Sequence, residues 1–167
     1  ISMLMLSLVI TSCKKSFVEL TPKGIIPVNT FYNTEIDIKS ALTGAYSSLR
    51  PIYNEQYGFG ELPSDNAQTY GESEVLYGEQ DKLTWTAVST NLQNAWARFY
   101  ATISYANIVL DHVNTPVMPA ANRNGYIGQA KFIRALMYFN LVRMYGGVPL
   151  VLNEITAEDQ AYTYNRA

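Results

Sequence analysis

The feature that most constrains the fold is an apolar stripe at helical spacing in the middle of the chain. Apolar side chains recur there every three or four residues between positions 92 and 113, which is the period of one face of a helix. A polar Asn-Thr-Pro sequence at 114–116 ends the pattern. This spacing predicts a long amphipathic helix and places Trp96 in the core. The stripe consists of Trp96, Phe99, Tyr100, Ile103, Ala106, Leu110 and Val113.

A second long helix is predicted from residue 120 or 122 to Tyr145. Within residues 132–145, 11 of 14 residues are apolar, so we expect this end of the helix to be covered on most sides. A glycine pair at 146–147 and a proline at 149 then prevent its continuation. The two patterns together predict a pair of neighbouring helices.

Few polar side chains interrupt these two helices. Arg134 and Arg143 are expected to pair with carboxylates such as Asp111, because a buried guanidinium needs a partner. Asn107 and Asn140 are expected to hydrogen-bond neighbouring backbone groups. We therefore expect these four side chains to stabilise the fold rather than to bind a ligand.

A shorter helix is predicted before the pair. Thr34 can cap its first turn, and Asp37 can take the place of the acid in a capping box. The helix should run to about residue 50, with Ile38, Leu42, Ala45, Tyr46 and Leu49 on one face. Residues 51–90 are rich in glycine and polar residues and are interpreted as a long irregular segment, and residues 150–167 as polar and unstructured. No long stretch alternates as a strand would, so the predicted fold class is mainly α with long irregular loops.

The first residues are typical of an exported lipoprotein. An apolar run of residues 1–10 is too short to span a bilayer and leads through Thr11 and Ser12 to the only cysteine, Cys13. Residues 1–12 are therefore interpreted as an incomplete signal peptide, without its basic first region, and Cys13 as the lipid anchor. Residues 13–33 should form an extended tether, followed by a helical domain over residues 34–167.

Composition and residue inventory exclude several functional classes. The formal net charge of −2 argues against nucleic-acid binding. One histidine and one cysteine cannot form a zinc cluster, and neither a nucleophile elbow nor a phosphate-binding glycine loop is present. His112 is assigned a solvated or helix-terminal role. We therefore predict no metal, no cofactor and no enzymatic activity, although two acids of the irregular segment could serve a glycosidase if they faced each other.

The irregular segment offers the best candidates for ligand binding. Between residues 57 and 81 it combines tyrosine rings, which stack on sugar faces, with amide and carboxylate groups, which bond hydroxyls. The alternative is that the tyrosines pack the loop onto the helices. The candidate binding residues are Tyr57, Asp65, Asn66, Gln68, Tyr70 and Tyr77.

Several segments resemble the SusD/RagB family of outer-membrane nutrient-binding lipoproteins. Residues 17–22 are similar to the opening of that family after its lipidated cysteine, and residues 31–46 to its first helix. Trp96, Tyr100, Ile103, Ala106 and Asn107 match its second helix. The most specific match is the run Ala-Lys-Phe-Ile-Arg-Ala at 130–135, followed by Tyr-Phe-Asn-Leu-Val-Arg-Met-Tyr-Gly-Gly-Val-Pro-Leu at 138–150. The resemblance extends from Cys13 to about residue 149.

This resemblance implies a fold of helix pairs packed as in tetratricopeptide repeats, of which this chain would be the N-terminal portion. It also implies a lipid-anchored protein of the outer membrane that captures oligosaccharides without hydrolysis. The expected partner is a SusC-like TonB-dependent transporter. Peptide capture of the same uptake type and a helical scaffold without ligand remain the alternatives. Lys14 and Lys15 stand where acidic residues often accompany surface export in this family, so lipidation is better supported than outward display.

Overall fold

A computed structural model describes residues 31–166, apart from the side chains of residues 54–56. Over this range the chain is helical and contains no strand, only an isolated antiparallel bridge between Pro149 and Arg166. The prediction of a mainly α fold is confirmed. The signal peptide, Cys13 and most of the tether lie outside the described residues. The helices are α1 (Glu35–Ser47), α2 (Ile52–Gly60), α3 (Glu72–Asp81), α4 (Thr90–His112), α5 (Ala120–Tyr145) and α6 (Glu158–Ala161).

Helix α1 begins with the predicted capping box. The Thr34 hydroxyl accepts a hydrogen bond from the Asp37 backbone N–H at 3.3 Å, and the Asp37 carboxylate accepts one from the Thr34 backbone N–H at 2.8 Å. Because the bonds from Thr34 stabilise the ionised form, the pKa of Asp37 is lowered. The helix ends at Ser47, and turns replace its predicted last residues.

Helices α4 and α5 form the predicted pair of neighbouring helices and run antiparallel. Tyr145 at the end of α5 donates a hydrogen bond of 2.6 Å to the Leu92 carbonyl near the start of α4. The apolar stripe of α4 faces the core, with Phe99 and Ile103 fully buried. The ring of Trp96 is partly buried and meets the Tyr145 ring edge to face at 5.0 Å, which confirms its core assignment.

Two clusters of buried side chains stabilise this arrangement. One joins α1 to the second half of α4 and the first half of α5, and the other joins α2 to the opposite ends of the same two helices. Ile38 and Leu42 of α1 belong to the first cluster, and Ile52 of α2 belongs to the second. The pair α4–α5 is thus the common support of both clusters. No described helix is long and apolar enough to cross a bilayer.

The segment after α5 returns over the helix pair. Gly146 ends the helix at φ +72°, a backbone conformation that favours glycine. The Tyr138 hydroxyl then donates to the Val151 carbonyl at 3.0 Å and accepts from the Val151 N–H at 2.6 Å. The Tyr100 hydroxyl donates to the Pro149 carbonyl at 2.6 Å, and burial raises its pKa to about 12. These hydrogen bonds hold residues 149–151 in place, although residues 150–167 were predicted to be unstructured because of their polarity.

Asn107 fixes the same segment from α4, as predicted for a bond to backbone. Its amide nitrogen donates to the carbonyls of Val151 and Asn153 at 3.1 and 3.0 Å. The prediction for Arg134 was wrong, because its guanidinium donates to the Asn107 side chain at 2.9 Å rather than to Asp111. Asp111 instead accepts from the Glu154 N–H at 2.6 Å. The returning segment, whose position the helical pattern does not indicate, supplies the partners of Asn107 and Asp111.

Two further expectations were wrong. The segment 51–90 is not irregular throughout, since it contains α2 and α3, of 9 and 10 residues. These short helices depend on contacts with the rest of the fold more than on their own sequence, which is rich in glycine.

The second half of α5 is not covered on most sides, because Phe132 and Phe139 are 63% and 58% exposed. Arg143 pairs with no carboxylate among the described residues; its guanidinium lies 5.2 Å from the centre of the Phe139 ring.

Candidate functional site

A depression of about 520 Å³ lies where the loop after α2 meets the end of α3. We call it the α2–α3 groove. Three of the predicted binding residues, Asp65, Asn66 and Gln68, line it together. The rest of its wall is formed by Leu62, Pro63, Ser64, Ala67, Asp81 and Leu83.

Hydrogen bonds to Asp81 give the groove its shape. The Asp81 carboxylate accepts from the backbone N–H of Thr69 at 3.1 Å and from its hydroxyl at 2.7 Å. Within the loop, the Ser64 hydroxyl donates to the Glu61 carbonyl at 2.6 Å and accepts from the Asn66 N–H at 3.2 Å. The loop is therefore anchored by its backbone and by the hydroxyls of Ser64 and Thr69.

The side chains of Asp65, Asn66 and Gln68 are exposed, and among the described residues they form no hydrogen bond. They offer both amide donors and carboxylate or amide acceptors. Such groups can bond the hydroxyls of a ligand without first breaking an internal bond. This is the arrangement expected of a polar binding surface.

The structure separates the three predicted tyrosines. Tyr70 follows the groove residues and is 92% exposed, so its ring is available to a ligand. Tyr57 on α2 and Tyr77 on α3 meet edge to face, with ring centres 6.4 Å apart and planes at 87°. Neither lines the groove. Tyr77 is partly buried, whereas Tyr57 keeps about half of its surface exposed.

Two residues that line the groove, Asp81 and Leu83, were not among the predicted binding residues. Asp81 was only one acid among several, and its bonds to Thr69 cross 12 positions, which no local pattern signals. Leu83 has φ +55°, a left-handed conformation that is uncommon for a side chain other than glycine or asparagine. It ends α3 through a turn in which the Thr84 N–H reaches the Glu79 carbonyl at 2.9 Å. Glycine would be the expected residue there, so nothing in the sequence signals this turn.

The charge around the groove is negative. Residues 57–83 contain six acids and one base, Lys82. The Lys82 ammonium is bonded to the Glu74 carboxylate, which raises its pKa, and it does not line the groove. No cationic side chain lines the groove, whereas Asp65 and Asp81 do. A ligand rich in neutral hydroxyls fits this surface better than a polyanion does.

His112 has the structural role predicted for it. It is the last residue of α4, where its ring stacks on Tyr32 with centres 4.1 Å apart and its Nε2 lies 2.9 Å from a Glu154 oxygen. Burial and the nearby Glu154 carboxylate raise the pKa of Tyr32. In the described part of the chain, no group of three or more acidic, histidine or cysteine side chains could hold a metal ion.

The chain matches a family model, SusD-like, described as starch-binding and associating with the outer membrane, over residues 17–167. The chain belongs to the SusD-like family. The resemblance found in the sequence is thereby confirmed, and the family description places its members in association with the outer membrane.

Relatives of known sequence support this membership. SusD-like protein P38 of Formosa agariphila is 32% identical over 158 residues, which is 92% of this chain and 30% of that protein. A SusD-like protein of Bacteroides ovatus is 28% identical over 148 residues, covering 87% of this chain and 27% of its own length. The chain therefore spans about 30% of the length of such SusD-like relatives.

Solved structures confirm the fold. A SusD superfamily protein from Parabacteroides distasonis aligns with a TM-score of 0.61 and 23% identity, over 80% of this chain and 30% of that one. A SusD-like protein from Bacteroides fragilis aligns with a TM-score of 0.64 and 18% identity, over 84% and 27% of the two chains. The packing of helix pairs predicted from the resemblance is thus the fold of this chain.

Proposed function

We propose that the protein captures oligosaccharides at the outer membrane and delivers them, without hydrolysis, to a SusC-like TonB-dependent transporter. The observation that carries the capture role is the α2–α3 groove, in which Asp65, Asn66 and Gln68 present unengaged polar groups; the exposed Tyr70 follows them in the chain. Membership of a family described as starch-binding supports the choice of a sugar ligand. Delivery to the transporter is an expectation from the resemblance.

The chemistry of the groove suits a sugar. An exposed tyrosine ring can cover the apolar face of a pyranose, while amides and a carboxylate bond its equatorial hydroxyls. Asp81 is occupied by two hydrogen bonds from Thr69, so it acts as a support for the loop. In this proposal Tyr57 extends the aromatic surface along α2, and Tyr77 supports its ring from α3.

The proposed attachment to the membrane is a lipid on Cys13, with residues 13–33 as the tether. This assignment rests on the apolar run and the Thr-Ser-Cys sequence at 11–13. Metabolic labelling with a fatty-acid analogue tests it. Labelled protein that loses its label in a Cys13→Ala variant supports the anchor, and equal labelling of both contradicts it.

Calorimetry tests the ligand class. The gene product, begun after Cys13 so that it remains soluble, is titrated with neutral oligosaccharides, uronic-acid oligosaccharides and mixed peptides, and each mixture is analysed for products. Saturable binding of a neutral glycan without products supports the proposal. Binding of peptides alone would indicate peptide capture. No binding of any compound would indicate a scaffold role, and formation of products would indicate a glycosidase.

Substitutions then test the groove. Gln68→Ala and Tyr70→Ala should each weaken glycan binding roughly fivefold, because each removes a contact worth about 1 kcal/mol. Tyr162→Ala is a matched control, since this tyrosine is also largely exposed but lies far along the chain from the groove residues 62–68. Unchanged binding in both Gln68→Ala and Tyr70→Ala would indicate that the binding site lies elsewhere in the protein, and it would not contradict the capture role.

A further inference from the structure

Leu83 occupies the position after α3 at which helices most commonly carry a glycine. Lys82 caps the helix at φ −87° and ψ 0°, and Leu83 follows at φ +55°. The Leu83 N–H donates to the Gln80 carbonyl at 3.3 Å, and the Thr84 N–H donates to the Glu79 carbonyl at 2.9 Å. This pair of hydrogen bonds defines the Schellman motif, whose left-handed residue is usually glycine because a Cβ atom is strained there.

Burial of the side chain does not offset the strain at Leu83. In the described part of the chain, Leu83 is the one residue other than glycine with a positive φ. Its side chain is 62% exposed and belongs to neither buried cluster. Residues held in sparsely populated backbone conformations are concentrated at binding and active sites. The core does not need a leucine here, so we look for its role at the surface.

The surface that Leu83 contributes to is the α2–α3 groove. Among the residues that line the groove, Leu83 is the only exposed apolar one. Leu62 is 1% exposed, and Pro63 and Ala67 are half-buried. Tyr70 is exposed but does not line the groove. Leu83 is thus the main apolar side chain that a ligand inside the groove can contact.

A sugar ring needs both kinds of surface. Its edge carries hydroxyls, which Asp65, Asn66 and Gln68 can bond, and its face carries C–H groups, which gain free energy when an apolar side chain covers them. Polar groups fix the orientation of a ligand, while apolar walls supply much of the contact. Glycine at position 83 would relax the turn but would leave the groove without this apolar contact.

We propose that Leu83 is the apolar contact for a pyranose ring in the α2–α3 groove, and that the strained turn is retained because it presents this side chain to the sugar. The proposal rests on the capture of oligosaccharides proposed above, and it names a contact residue and the part of the sugar that this residue recognises. Sugars with an open face of C–H groups are the expected ligands.

Two substitutions at Leu83 separate the side chain from the backbone. They are made in the full-length gene product, begun after Cys13, and titrated by calorimetry with maltohexaose and cellohexaose. Leu83→Ala keeps the left-handed strain but removes most of the side chain, and Leu83→Gly removes both. Each should weaken binding roughly fivefold, because each removes apolar surface that the sugar covers.

Two further variants serve as controls. Leu83→Met keeps a large apolar side chain and should bind like the native chain. Leu76→Ala removes a leucine of α3 that is also 62% exposed but does not line the groove, and it should leave binding unchanged.

Thermal unfolding distinguishes this role from a structural one. Leu83→Gly should unfold at the same temperature as the native chain or at a higher one, because glycine relieves the left-handed strain. A lower midpoint would show that the leucine side chain stabilises the turn after α3, and it would overturn the proposal.

Three binding results would also overturn it. Unchanged affinity in Leu83→Ala and Leu83→Gly would exclude Leu83 as a contact and leave the capture of oligosaccharides in place. Weaker binding in Leu83→Gly alone would attribute the effect to the backbone. If the native chain binds neither hexasaccharide, the proposed role of Leu83 is wrong, and the wider panel of oligosaccharides then decides whether capture itself stands.

Discussion

The α4–α5 pair and the α2–α3 region are stabilised in different ways. In the pair, large side chains such as Phe99 and Met137 are fully buried, and Asn107 and Tyr138 bond the returning segment. The α2–α3 region has fewer large side chains that are fully buried, is held by bonds such as those from Thr69 to Asp81, and exposes the groove side chains of Asp65, Asn66 and Gln68. The comparison teaches that the exposed groove side chains can change with little cost in stability, because they belong to neither buried cluster.

The largest predicted effect is in the helix pair. Phe99→Ala should lower the free energy of unfolding by about 3–5 kcal/mol, because it opens a cavity around a fully buried ring. Val75→Ala on α3 is the control and should change it by less than about 0.5 kcal/mol, since Val75 is largely exposed. Urea denaturation measures both. Equal losses of stability in the two variants would contradict this difference between the two regions.

The bonds of the returning segment give the next largest effect. Tyr138→Phe removes the acceptor of the Val151 N–H and should cost about 1–3 kcal/mol, the cost of a polar group left unpaired in a partly buried site. Tyr162→Phe is the matched control, because Tyr162 is largely exposed. Thermal unfolding of the two variants is compared. Indistinguishable midpoints would mean that residues 149–153 do not need this bond.

The cap of α1 should contribute less. Thr34→Ala removes the side-chain acceptor of the Asp37 N–H and should cost about 1 kcal/mol. Thr84→Ala is the control, because Thr84 is exposed and caps no helix. Helix content at increasing urea concentration reports the loss. A Thr34 variant as stable as the control would show that the cap contributes nothing.

The same cap predicts a dependence on pH. Because the pKa of Asp37 is lowered in the folded protein, its contribution is present above its unfolded pKa and is lost as the pH falls through its folded pKa. Asp37→Asn should therefore reduce the difference in stability between neutral pH and the pH range below the usual aspartate pKa. Unfolding midpoints across this range measure the slope. An unchanged slope would contradict the assignment.

The smallest effect on stability is expected in the candidate site. Thr69→Val removes the hydroxyl bond to Asp81 and should cost only about 0.5 kcal/mol, because the Thr69 backbone N–H still donates to the same carboxylate. The loss should be local, so hydrogen exchange of the loop between α2 and α3 should accelerate while exchange in α4 and α5 does not. Exchange that accelerates equally throughout would show that the groove and the scaffold unfold together.

Local patterns were sufficient for the scaffold because its helices carry their own signals. The stripe on α4, the glycine after α5 and the Thr34–Asp37 capping box each depend on residues a few positions apart. The same reasoning missed α2 and α3, whose glycine-rich sequences form helices through contacts with the rest of the fold. It grouped Asp65, Asn66 and Gln68, which line one groove, because they are neighbours in the chain. It could not foresee that Tyr57 and Tyr77 would pack on each other.

The sequence by itself determined the family, the long helices and the polarity of the segment that carries the groove, because these depend on periodicity and composition. Only the tertiary structure decided which partners the polar residues find. Arg134 bonds Asn107 and not Asp111, Asp81 holds Thr69, and one face of α5 stays open. Such pairings join residues far apart in the chain, and their geometry is set by the packing of whole helices, which no local pattern contains.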